Sequence, residues 1–103
     1  MVDARNDKDA VLAALDRLTA WSEMARSPQL TRFLEYIVKR RLDGDTQSIK
    51  AYSIAVDVFG RPSDFDPQTD PIVRVQARRL RALLDQYYRG LGAEEKLQIT
   101  LPI

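Results

Sequence analysis

The sequence contains no cysteine and no histidine. Without cysteine there can be no disulfide and no thiolate metal site. Without histidine the chain lacks the commonest general base and the commonest transition-metal ligand. It also has no apolar run near the roughly 20 residues that cross a bilayer. The first ten residues, MVDARNDKDA, are polar and carry acids, unlike a signal or transit peptide. The expected compartment is the cytoplasm. Catalytic groupings are missing as well. Five serines and scattered carboxylates have no base beside them, and there is no Gly-rich phosphate loop or nucleotide motif. The expectation is a protein that is not an enzyme, with no cofactor, no metal, no membrane association and no small-molecule substrate.

What is present suits one small folded domain. The chain has 103 residues, 45% hydrophobic and 30% charged, which argues against disorder. Residues 1–7 are expected to be a disordered N-terminus and 8–103 a single domain. Net charge is only +1, but 12 of the 16 basic residues are Arg, and they are unevenly placed. Residues 71–92 carry five Arg against Asp85, whereas residues 57–70 carry four Asp against Arg61. A local basic patch can act where the total charge does not.

Apolar periodicity predicts four helices. Val11, Leu12, Leu15 and Leu18 recur at three and four residues in a first helix from Lys8 to Trp21. Ser27-Pro28 reads as an N-cap with proline at the first helical position. Leu30, Phe33, Leu34, Ile37, Val38 and Leu42 then line one face of a second helix, closed by Lys39, Arg40, Arg41 and Gly44. Asp45 to Ser48 is a polar turn, and Ile49 is assigned to a very short strand. A third helix over about 50–58 should turn Ala51, Tyr52, Ala55, Val58 and Phe59 inward, with Gly60 ending it. RPSDFDPQTD is a loop by composition. Asp70-Pro71 repeats the cap logic for a fourth helix to about Arg89, closed by Gly90 and Gly92. Leu97, Ile99, Leu101 and Ile103 alternate with mostly polar residues, as in a half-buried strand.

The fourth helix carries the segment RVQARRLR, residues 74–81. On a helical wheel Val73, Ala77, Leu80, Leu84 and Tyr87 gather on the core side. Arg81, Arg74 and Arg78 fall within about 60° of one another, and Arg79 lies near 140° from Arg74, with Val75 and Ala82 between Arg78 and Arg79. Arginines on a solvated helix face are common, and their stems can cover apolar surface. This face differs because it hardly mixes signs. Arginine also suits bidentate contacts to phosphate or guanine, and Val75 and Ala82 leave the centre low enough to approach thymine methyls.

Other groupings read as structural. Asp64, Asp66 and Asp70 lack the glycine and terminal Glu of a calcium loop, so turn formation is preferred. Trp21 and Met24 are expected to pack between the first two helices rather than form a dimer contact. Tyr87 and Tyr88 lie too near the core stripe to stack on single-stranded bases.

Taken together, FLEYIV (33–38), YSIAVDVFGRPSDFDP (52–67), DPIVRVQARRLRALL (70–84), QYY (86–88) and LQITLP (97–102) resemble the winged helix-turn-helix domains of the OmpR/PhoB type. The resemblance is closer to the N-terminal winged-helix modules of bacterial regulators fused to tetratricopeptide-repeat, TolB-like or adenylate-cyclase regions. It implies a mainly α winged helix-turn-helix fold: four helices and a small C-terminal β-wing. It also implies sequence-specific binding of double-stranded DNA by a bacterial transcriptional regulator, with residues 71–89 in the major groove. Val75 and Arg79 would meet base edges, Arg78 either base or backbone, and Arg74 and Arg81 mainly phosphates. Lys50 and Ser53, on the helix crossing the backbone, would add phosphate contacts. The loop Arg61–Asp70 occupies the place where such domains can meet RNA polymerase, although a plain loop is the preferred reading. The family's second wing strand has no counterpart, so the sequence is either a fragment of a longer protein or a form with a reduced wing. The alternative reading is a protein–protein interaction or dimerisation module on the same fold.

Overall fold

The computed structural model describes residues 4–45 and 47–101, and of residues 4–7 the backbone alone. It is mainly helical. The elements are α1 (Ala4–Ala20), α2 (Ser22–Ala25), α3 (Pro28–Leu42), a 3-10 turn (Gln47–Ile49), α4 (Ala51–Asp57) and α5 (Ile72–Arg89). None of the helices among the described residues is long and apolar enough to cross a membrane.

The first helix starts earlier than its apolar spacing implied. Residues 4–7, expected to be disordered, form its first turn. Their polarity is no obstacle, because residues 4–20 contain neither Gly nor Pro. The break at Trp21 and the single turn α2 were not anticipated. They bring Met24 into the core at 0% exposure and set Trp21 5.4 Å from the ring of Tyr87. Met24 is buried as expected, whereas Trp21 is half-buried and its ring contact is with Tyr87 of α5.

The strongest helices match their periodicity. On α3, Leu30, Phe33, Leu34, Ile37 and Val38 are all buried. Ser27 stands at its N-cap, but no side-chain cap bond forms there. The Ser27 carbonyl accepts instead from the Thr31 N–H at 2.9 Å, and the Thr31 hydroxyl donates to the Met24 carbonyl at 2.9 Å. On α5, Val73, Ala77, Leu80, Leu84 and Tyr87 are buried as the wheel required. Its N-cap is Pro71 rather than the expected Asp70, one residue later, but Asp70 still holds the start: its Oδ1 accepts from the Ile72 N–H at 3.1 Å while Oδ2 accepts from Arg61 Nε at 2.7 Å.

Two turns depend on left-handed backbone. Gly44 and Gly60 have φ of +75° and +67°, a region that other residues enter only at a cost. Each ends a helix where the sequence places a stop, after α3 and after α4. Gly92 is needed for another reason: a Cβ there would collide with the Tyr87 ring.

Three expectations need correction. Tyr52 does not turn inward; it is 45% exposed, and its hydroxyl donates to the Ser63 carbonyl at 2.7 Å. Ile54, at 0% exposure, takes the central core position of α4. Ile49 is buried but belongs to the 3-10 turn rather than a strand. The Asp45 carboxylate organises that turn by accepting from the Ser48 N–H and hydroxyl, at 3.2 and 2.7 Å. Those same bonds hold the Asp45 carboxyl below its ordinary value. Thr46, within the predicted turn, lies outside the described residues.

The third correction concerns the C-terminal strand. Leu97 and Leu101 are half-buried, Ile99 is buried, and Gln98 and Thr100 are exposed, so the alternation is real. No strand forms among the described residues, however, because no second segment lies alongside to complete a ladder. The Ile99 N–H donates instead to the Tyr88 hydroxyl at 2.8 Å. Ile103, the last residue of the predicted strand, lies outside the described residues.

Candidate nucleic-acid interface

Helix α5 packs on both α3 and α4, and this fixes which of its faces looks outward. A sequence-silent contact helps to set its rotation. Gln76 is 7% exposed, the one buried polar side chain among the described residues, and its Nε2 donates to Gln29 Oε1 on α3 at 2.9 Å. Gln76 sits beside the apolar stripe, and nothing in its spacing distinguishes it from a solvated glutamine.

With that rotation, Arg74, Val75, Arg78, Arg79, Arg81 and Ala82 are all exposed. Val75 is 37% exposed, next to Arg74 and one turn before Arg78 and Arg79. Arg74, Arg78 and Arg81 border a groove of about 390 Å³ between α4 and α5, floored by Ala51, Val73 and Ala77. Of the five α5 residues predicted as a recognition surface, all are exposed; Arg74, Arg78 and Arg81 share this groove, and Val75 and Arg79 lie outside it. Lys50 is also exposed and immediately precedes α4. Ser53 is different: it is half-buried, and its hydroxyl donates to the Gln47 carbonyl at 3.3 Å.

Ion pairing separates these arginines from most other cations of the chain. Lys8, Arg17, Arg26, Lys39, Arg40, Arg61 and Arg89 each have a carboxylate within 4.0 Å. Among the described residues, none pairs with Arg74, Arg78, Arg79 or Arg81. Arg32, Arg41, Lys50 and Lys96 share this condition but are scattered over other elements. Asp85, the acid within the helix, is engaged by Arg89 at 3.1 Å. Asp70, at its start, is engaged by Arg61 at 2.7 Å. Both carboxylates that could have offset the strip are thus turned to other partners.

The far end of α5 is held by a clasp that sequence reading missed. Arg17 Nε and Nη2 donate to Glu95 Oε1 at 3.0 and 2.8 Å, and the Tyr87 hydroxyl donates to Glu95 Oε2 at 2.6 Å. The Arg17 and Tyr87 hydrogen bonds hold the Glu95 carboxyl below its ordinary range. Glu95 and burial push the Tyr87 phenol up to about 12. The lowered Glu95 value gives stability that is present above the ordinary carboxylate range and is lost as pH falls through the folded value. The raised Tyr87 value gives stability present below the ordinary phenol value and lost as pH rises towards about 12. Melting temperature should therefore decline at both ends of the pH range. Glu95→Gln is expected to flatten the acid limb and Tyr87→Phe to reduce the alkaline one. Unchanged limbs in both variants would show that the clasp contributes nothing.

Among the described residues no group of three or more acids is placed to hold a metal ion. Comparison with known protein families, with curated proteins and with solved structures finds no match to the chain.

Proposed function

We propose that the chain is a double-stranded-DNA-binding domain of the winged helix-turn-helix type, acting in a bacterial transcriptional regulator. In this reading α5 lies in the major groove and α4 crosses the backbone beside it. The observation that carries the reading is the outward face of α5: four exposed arginines without ion pairs, set around an exposed valine. Such a face costs the isolated protein something. Arg74 and Arg78 are four residues apart and Arg78 and Arg81 three, and like charges at those spacings destabilise a helix by about 0.2–0.5 kcal/mol each. A polyanion relieves that repulsion and releases its own counterions.

Position assigns the roles. Val75 and Arg79 meet base edges, Arg78 either base or backbone, and Arg74, Arg81 and Lys50 phosphates. Ser53, with its hydroxyl donated to Gln47, is left at most as an acceptor. In this reading residues 97–101, which form no strand here, would supply the first wing strand.

Fluorescence anisotropy of labelled duplex DNA over a range of salt concentrations tests the reading. Three to five phosphate contacts predict a log–log slope of roughly −3 to −5, at about −0.9 per contact. A slope near zero, or no binding at low salt, would sink it.

A further inference from the structure

Two surface features lack a role within the fold, and they complement each other. The first is Leu91. At 75% it is the most exposed large hydrophobic among the described residues, ahead of Tyr52 and Val75. Its turn is firmly held. The Gly92 N–H donates to the Tyr87 carbonyl at 2.8 Å, and the N–H groups of Ala93 and Glu95 donate to Gly90 and Gly92 carbonyls at 3.1 Å. Gly92 presses on the Tyr87 ring, and Glu95 is clasped by Arg17 and Tyr87. The turn therefore cannot fold Leu91 back onto the core. Three residues on, Glu94 is exposed and has no ion pair among the described residues. An exposed leucine and an exposed carboxylate thus lie three residues apart on one hydrogen-bonded turn.

The second feature is the α4–α5 groove, with its floor of Ala51, Val73 and Ala77 and its rim of Arg74, Arg78 and Arg81. An apolar cavity of about 150 Å³ accepts benzene. The groove, at about 390 Å³, admits a leucine side chain. The same molecule's Leu91 cannot reach it. Ala77 and Leu91 are separated by fourteen residues, roughly 20 Å along the helix direction. The occupant must come from elsewhere, and it must bring apolar surface with negative charge.

We propose that a second copy of this chain supplies it: Leu91 of one copy enters the α4–α5 groove of the next, and Glu94 lies among Arg74, Arg78 and Arg81. Each molecule offers one knob and one groove, so the contact is heterologous and grows head to tail unless a ring closes. The buried area is small, and the dissociation constant should be on the order of 0.1–1 mM. The groove arginines are those assigned to DNA. The consequence that DNA and a second copy exclude each other rests on that assignment; the association itself does not.

Sedimentation velocity from micromolar to millimolar protein, without DNA, tests the proposal. The average mass of the parent chain should rise with concentration. Leu91→Asp and Arg78→Glu should each remain monomeric, and both sites are exposed enough to leave folding intact. An equimolar mixture of the two variants is the decisive measurement. The first keeps a working groove and the second a working knob, so the mixture should form one-to-one dimers that grow no further. A monomeric parent, association unaffected by Leu91→Asp, or a mixture that stays monomeric would each overturn the proposal. A parent that self-associates but does not bind duplex DNA would leave this contact standing and remove the DNA reading. A monomeric parent that binds DNA would do the reverse.

Discussion

A chain carrying both Arg78→Ala and Arg79→Ala should bind duplex DNA about 100- to 1,000-fold more weakly at fixed salt, with its melting temperature no lower than the parent's. The expected loss follows from what each side chain can do. A bidentate arginine on a base edge contributes about 1–3 kcal/mol of discrimination, and a backbone contact less. The two positions are adjacent, so their effects need not add. Stability should not fall, because both are exposed, neither has an ion pair among the described residues, and removing Arg78 relieves its repulsion with Arg74 and Arg81. The single variants should separate by kind as well as by size. Arg79→Ala should relax sequence preference, whereas Arg78→Ala, to the extent that it holds a phosphate, should lower the salt slope by about one unit. Lys8→Ala is the control: Lys8 lies on α1, away from α5 in sequence, and pairs with Asp43 of the loop after α3 at 4.0 Å. If all three single variants weaken binding alike, α5 is not the recognition helix.

The part of this interface that could be read from the sequence is the part that local periodicity determines. Eighteen residues of α5 span five turns, enough to fix the phase of the wheel, and all five residues assigned to its core side are buried. Helix α4 has only seven residues. Two turns leave the phase loose, so Tyr52 was read as inward and the buried Ile54 was not named. Alternation over 97–101 correctly gave the buried and exposed sides of that segment, but period two says nothing about whether a neighbouring strand exists. Long-range pairing was invisible. Arg17 and Glu95 are 78 residues apart, and Gln29 and Gln76 are 47 apart. Nothing in their local sequence announces those partners. The distinction between paired and unpaired arginines therefore had two sources: local pairs such as Asp85–Arg89 follow helix spacing, whereas those of Arg17 and Arg61 needed the tertiary structure.

The largest stability effect should come from a residue remote from that surface. Phe33 is 0% exposed on α3, and its ring meets Phe59 edge to face, with centroids 5.2 Å apart at 83°. Phe59 follows Val58, the C-cap of α4, and stands just before the left-handed Gly60. The aromatic pair thus seats the end of α4 on α3. Phe33→Ala removes the ring's transfer free energy and leaves a cavity, together about 3–5 kcal/mol. Domains of this kind hold only about 5–15 kcal/mol in total. The melting temperature should fall by roughly 15–30 °C, whereas Phe33→Leu, which keeps most of the volume, should cost under about 1.5 kcal/mol. At a temperature where Phe33→Ala remains folded, DNA affinity should fall less than in the double arginine variant, because the arginines of α5 are all still present. The order of effects is then reversed between the two experiments: Phe33 dominates melting and the arginines dominate binding. A Phe33→Ala chain that melts within a few degrees of the parent would mean that α4 is seated by other contacts, with Ile54 and Ala55, both at 0% exposure, as the next residues to change.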